Sequence, residues 1–272
     1  MEVHPRLSVS EASTIGWPIE RDLALWSSLG IRDVALLQRK LDASGDPVRA
    51  IERVRGTTGL RVDNLAVGDS FELANSAQWE RGRERLRSYL DTAAALGSRC
   101  IVVTTGGPAG LSWEEAADAL DEAIAPVVAD ARARGFELAV ENTNSLRLDI
   151  SFANTLRDTC DLARRLGIGV CMEINNAWCE RGLADTVRRN VDLLRIVQVN
   201  DFVVGTLQTP DRAVPGDGDI PLRRVLGTVL EAGYRGPFEL EIVGPRIEAE
   251  GYESAVRRSL DVLGRLLVDL GA

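Results

Sequence analysis

The chain has 272 residues and a formal net charge of −9, with 27% charged and 45% hydrophobic residues. That length suits one (β/α)8 barrel of roughly 250 residues, and the balance is that of a globular chain rather than a disordered one. An acidic surface repels phosphate backbones and anionic lipid, so nucleic-acid and membrane partners are not expected.

The opening residues, MEVHPRLSVSEAS, lack the basic-then-apolar order of a signal peptide. No apolar run approaches the roughly 20 residues that span a bilayer. A cytoplasmic chain is the expectation. Cys100, Cys160, Cys171 and Cys179 occur without a CxxC spacing and read as free thiols of a reducing compartment. The single histidine, His4, precedes the first strand. A Ser-His-Asp triad, a Cys-His pair and a histidine-rich zinc site are therefore excluded in ordinary form. A metal site would be built from oxygen donors, which suits Mg²⁺ or Mn²⁺ better than Zn²⁺.

In chain order, short β-rich apolar runs alternate with longer amphipathic segments. The runs are RLSVSEA, RDVALL, LRVDNLAV, RCIVVTT, FELAVEN, GVCMEI, IVQVND and FELEIV. Helical segments follow each run. Ser112-x-x-Glu115 forms a capping box, and Asp219 before Ile220-Pro221 reads as an acidic cap. Gly30, Gly59, Gly97, Gly135, Gly167 and Gly233 mark helix ends before the next strand. Strand-helix alternation makes parallel βαβ units, and eight of them close into a barrel. An open doubly wound sheet usually carries GxGxxG after its first strand, whereas here that turn reads SEASTIGWP. Residues 1–272 are read as a single TIM-barrel domain.

Chemistry in such barrels sits at the C-terminal strand ends. Strand five ends at Glu141 and strand six at Glu173; strand seven presents Gln198, Asn200 and Asp201; strand eight carries Glu239 and Glu241 on one face. Consecutive strands are neighbours, so Glu141, Glu173, Gln198 and Glu241 can converge. Like charges crowded together are unfavourable unless a cation or proton joins them, and a divalent cation is the simple resolution. Single carboxylates at strand ends also serve as caps or salt-bridge partners. Arg195, Arg212 and Arg246 are available for such a structural network.

These residues resemble the sugar phosphate isomerase/epimerase family, the xylose isomerase-like barrels, which include ketose epimerases, hydroxypyruvate isomerase and inosose dehydratase. The resemblance is carried by VENTNS, VCMEINNAW, VQVNDF, RAVPGDGDIPL and GYRGPFELEI. It implies a metal, Mn²⁺ or Mg²⁺, held by Glu141, Glu173, Gln198 and Glu241, with Glu141 and Glu241 also moving the proton. It implies substrate contact for Arg212. Two departures stand out: Glu173 and Asn176 occupy places where the family has Asp and His, and an amide is neither acid nor base near neutral pH.

The expected reaction is proton abstraction beside a carbonyl of a keto-sugar or related polyol. One of Glu141 and Glu241 removes the proton and the other returns it. Return to the opposite face gives epimerisation, return to the adjacent carbon gives isomerisation, and loss of a β-hydroxyl gives dehydration. Asn142 and Asn144 are candidates for substrate hydroxyls or for turn bonding. Asn176 is a further candidate substrate contact. Trp17, Trp113 and Trp178 fall in expected βα loops and are candidates for an apolar wall, while Trp26 and Trp79 read as core. The alternatives are an inosose-type lyase and a catalytically silent barrel acting as a binding subunit. An endonuclease IV-type DNA repair enzyme needs a histidine cluster and a basic face, and this chain has neither. The partner expected is a small carbohydrate-like molecule, with a homo-oligomer left open.

Overall fold

The structure is a computed structural model that describes residues 3–68 and 71–272. Eight parallel strands close in chain order, with β8 returning to β1. They are β1 (Leu7–Ser10), β2 (Asp33–Leu37), β3 (Arg61–Val67), β4 (Cys100–Val103), β5 (Glu137–Glu141), β6 (Gly169–Glu173), β7 (Leu194–Val199) and β8 (Phe238–Leu240). Each grows from one of the eight apolar runs, as the alternation requires. Two register shifts, at Val34/Ala35 against β3 and at Val170/Cys171 against β7, let the strands tilt around the barrel.

Alternation along the strands divides the core in two. Residues such as Val34, Leu36, Leu65, Ile101, Leu138 and Met172 point outward into the large layer shared with the helices. Val102, Ala139, Cys171 and Ile196 point inward and form a small separate cluster on the barrel axis. Polar residues continue that inward face toward the strand ends, where Glu173, Gln198 and Glu239 are register neighbours on β6, β7 and β8. Glu241 lies just past the end of β8, its N–H donating to Val199 O at 3.1 Å.

Helix ends follow local chemistry. Gly30, Gly97 and Gly167 are left-handed C-caps, a conformation that costs glycine little. Ser112 and Glu115 form the complete capping box of the helix Trp113–Ala133. The cap expected at Asp219 is not formed. The helix Leu222–Glu231 begins after Pro221 with no side-chain cap, and Asp219 Oδ2 accepts from Val204 N–H at 2.8 Å instead. Asp201 organises that loop. Its carboxylate accepts from the N–H groups of Phe202 (2.8 Å), Gly216 (2.8 Å), Gly218 (3.1 Å) and Ile220 (3.0 Å). A Cβ at Gly218 would overlap that carboxylate, so glycine is required by close approach. The N–H groups of Gly216 and Gly218 in this turn are thus taken by the chain's own Asp201.

All four cysteines are free. Among the described residues no helix is long and apolar enough to cross a membrane.

Candidate active site at the barrel mouth

A cavity of about 630 Å³ opens at the C-terminal strand ends, and Glu141, Glu241, Arg212, Asn176, Gln38 and Thr104 are among its lining residues. The end of β5 and the segments that follow β2, β4, β6, β7 and β8 supply these side chains, as the parallel barrel dictates. A cavity of similar size, about 670 Å³, lies at the opposite end and contains Arg132, Arg164 and Arg195. Each of those arginines is already bonded to a neighbouring carbonyl or carboxylate. The mouth is where polar groups remain uncommitted.

Glu173 is fully buried beneath the mouth. Asn200 Nδ2 lies 3.0 Å from each of its oxygens, Asn175 N–H donates at 2.7 Å, and Arg212 Nη2 stands 3.5 Å away. Of the three arginines available to neutralise the cluster, Arg212 alone is paired with it. Arg195 pairs with Glu137 at the opposite end and Arg246 with Asp211. Gln198 is also buried. Its Nε2 donates to Glu239 Oε1 at 3.1 Å, and its Oε1 has no hydrogen-bond partner.

Crowding of carboxylates shifts their protonation. Burial, then the negative charge of Glu173, pushes Glu141 up to about 8, with Arg212 opposing. Burial, then Glu141, Glu173 and Glu239, holds Glu241 well above the usual carboxylate range. Glu239 rises to about 7 through burial, although bonds from Gln198 and Asn64 pull it down. These shifts describe a region short of positive charge.

The donor set fits a divalent cation on chemical grounds. Glu141, Glu173, Gln198 and Glu241 offer only oxygen, the amide oxygen of Gln198 is buried without a partner, and a cation would relieve the repulsion just described. Among the described residues, no three carboxylate, thiol or imidazole groups close into a ready cage. Glu173 already accepts from two asparagines and faces Arg212.

The remaining sequence candidates divide clearly. Asn176 and Arg212 reach the cavity, and so does Asn144, whose Oδ1 also accepts from Leu146 N–H at 2.9 Å as a turn residue would. Asn142 is fully buried, and both ends of its amide bond the backbone of Glu173, at 2.8 and 3.0 Å. Trp113 packs edge-on against Phe152, Trp17 edge-on against Tyr252, and Trp178 joins the partly buried shell of the core. None of these three tryptophans lines the cavity. Trp26 and Trp79 are core, as expected. Burial pushes the thiol of Cys171 up, which suits an inert packing role, and Cys179 is exposed.

Several residues were not singled out from the sequence. Gln38 and Thr104 reach the cavity from β2 and β4. Asn64 Nδ2 donates to Glu239 Oε2 at 2.6 Å across the barrel interior. A lone asparagine inside the apolar run LRVDNLAV was the available signal for it. Glu11 and Asp22 surround Lys40 beside the mouth.

A closed parallel barrel with acidic residues gathered at its C-terminal mouth defines the class. Within that class, the chain belongs to the xylose isomerase-like TIM barrel family, whose model matches residues 23–266. Protein SMc04130 from Sinorhizobium meliloti 1021 superimposes with a TM-score of 0.84 and 26% identity, covering 94% of this chain and 96% of that one. The IOLI protein, solved with a binding zinc atom, gives a TM-score of 0.83 at 16% identity, covering 97% and 99%. A 3-dehydroshikimate dehydratase of Pseudomonas aeruginosa is 24% identical over 233 residues, which are 82% of this chain and 35% of that protein. The chain therefore spans about a third of that relative's length.

Proposed function

We propose that this chain is a divalent-cation-dependent isomerase or epimerase acting on a keto-sugar or related polyol by proton transfer through an enediolate. The observation that carries the reading is the pair Glu141 and Glu241. They sit three strand positions apart around the mouth, line one cavity, and are both lifted above the usual carboxylate range. Two carboxyl groups whose protonated forms are both favoured by burial can exchange roles as base and acid.

Glu141, Glu173, Gln198 and Glu241 are the residues that would hold the cation, with Mn²⁺ or Mg²⁺ favoured by all-oxygen donors. When bound, the cation supplies Lewis acidity at a substrate carbonyl oxygen. Glu141 or Glu241 takes the proton from the adjacent carbon, and the other carboxyl returns one. Arg212, anchored by Glu173, presents a cationic edge to the cavity that suits a developing negative charge. Asn176, whose Nδ2 donates to Asn142 O at 3.0 Å, is held as a neutral contact for a substrate hydroxyl.

A dehydratase reading draws support from the similarity to the 3-dehydroshikimate dehydratase. It needs the same first proton removal followed by loss of a β-hydroxyl. Calorimetric titration of Mn²⁺ into chelator-stripped protein, with Glu173→Ala as control, tests the cation site. Stoichiometric binding lost in the variant is expected, and absence of binding would remove the cation from the mechanism. Keto-sugars incubated with the protein in heavy water should gain deuterium beside the carbonyl. A new ultraviolet-absorbing enone would assign the lyase branch instead.

A further inference from the structure

The inward face of the barrel carries a hydrogen-bonded row in which Asn64 and Glu239 have no part in the proposed chemistry. Glu239 is 1% exposed and sits between two amides. Asn64 Nδ2 donates to its Oε2 at 2.6 Å, and Gln198 Nε2 donates to its Oε1 at 3.1 Å. Gln198 lies in register between Glu173 on β6 and Glu239 on β8.

A glutamine amide can turn either end toward a site, because its oxygen and nitrogen have nearly the same shape and opposite hydrogen-bonding character. An ionised carboxylate only accepts. Placing one beside Gln198 therefore captures the NH2 end and turns Oε1 away, where it is buried without a partner. We propose that Glu239 is the positioning residue of this mouth: it locks the Gln198 amide so that an oxygen, never an N–H, is presented to the strand-end carboxylates and their cation. This inference rests on the cation reading above and names how a glutamine is made a dependable oxygen donor. Outer partners that orient a metal ligand typically change affinity by about 10- to 100-fold when removed.

Two variants and two readouts test it. Glu239→Met removes the acceptor while keeping much of the side-chain volume. It should weaken Mn²⁺ binding, read by calorimetry, by about 10- to 100-fold. The double variant Gln198→Glu/Glu239→Gln reverses the bond. Gln at 239 accepts from Asn64 and donates to Glu at 198, whose second oxygen still faces the site. It should retain Mn²⁺ binding with the same net charge and nearly the same shape. The second readout is the side-chain amide NMR signal of Gln198, identified by its loss in Gln198→Glu and recorded without metal. A proton of that amide should be shifted downfield and slow to exchange in the wild type, and lose both features in Glu239→Met. Wild-type Mn²⁺ affinity in Glu239→Met would overturn the proposal, as would an unchanged Gln198 amide signal. If the wild-type protein bound no Mn²⁺ but the amide signal responded as expected, the cation reading would fall while the orienting role of Glu239 stood.

Discussion

Two buried acidic groups flank the mouth, and the fold treats them differently. Behind β1 and β2, Glu11 and Asp22 share the ammonium of Lys40, the one lysine in the sequence. Lys40 Nζ also donates to Thr14 O at 3.2 Å, and Glu11 Oε2 accepts from Leu37 N–H at 2.8 Å. Around β5 to β8, Glu141, Glu173, Glu239 and Glu241 crowd together and Arg212 pairs with Glu173. The first group ties two loops to each other with its own counter-ion. The second leaves negative charge unbalanced beside a cavity. The first group holds an ammonium directly between its two carboxylates, while the carboxylates of the second that line the cavity have only the guanidinium paired with Glu173 nearby.

The comparison breaks most sharply at Glu241. Glu241→Gln should lower the rate of deuterium exchange in a responsive keto-sugar by about 10²- to 10⁴-fold, the usual contribution of a general acid or base. Its melting temperature should not fall, because the change removes repulsion. A near-wild-type exchange rate would take Glu241 out of the proton path. Lys40→Met should do the reverse. Removing one partner of a buried charge group destabilises by about 3–5 kcal/mol, because the other charges stay buried without it. Urea unfolding followed by circular dichroism reads that loss, and a shift of only a few tenths would mean the group is solvated.

The most gradual effect expected is a slope with pH. Burial raises the folded-state values of Glu11 and Glu141 to about 8 and Glu239 to about 7, from an ordinary value near 4.5. The folded protein therefore holds more protons than the unfolded chain between about pH 4.5 and about pH 8. The stabilisation is full below that window and lost as pH rises through it. In chelator the melting temperature should fall steadily from pH 5 to pH 8. Mn²⁺ should flatten the slope by compensating the mouth, leaving the part due to Glu11. A melting temperature that rises across this window would show that the carboxylates are ionised and satisfied without the cation.

Much of this was legible in the sequence. Short β-rich apolar runs separated by amphipathic segments identify eight strands, and parallel units of that kind close on themselves. The alternation E-L-E in FELEIV put Glu239 and Glu241 on one inward face. One histidine in the whole chain restricted any metal site to oxygen donors. Less legible was the division of labour among asparagines. Asn142 and Asn176 look alike in sequence, yet Asn142 spends both ends of its amide on the Glu173 backbone while Asn176 reaches the cavity. Asp219 does not cap because the helix begins later, at Leu222 after Pro221, and its carboxylate accepts from Val204 N–H instead.

By itself, then, the order of residues determined the barrel, the end of it that is polar, and which carboxylates point inward, because side-chain periodicity is a local property of strands. Which partner each polar group finds was decided only by closure. The strand-eight glutamate meets the strand-three asparagine, and the lysine after strand two meets carboxylates from the first loop and helix. Such pairings depend on distances across the barrel that no local pattern encodes. They set which charges find a partner within the fold.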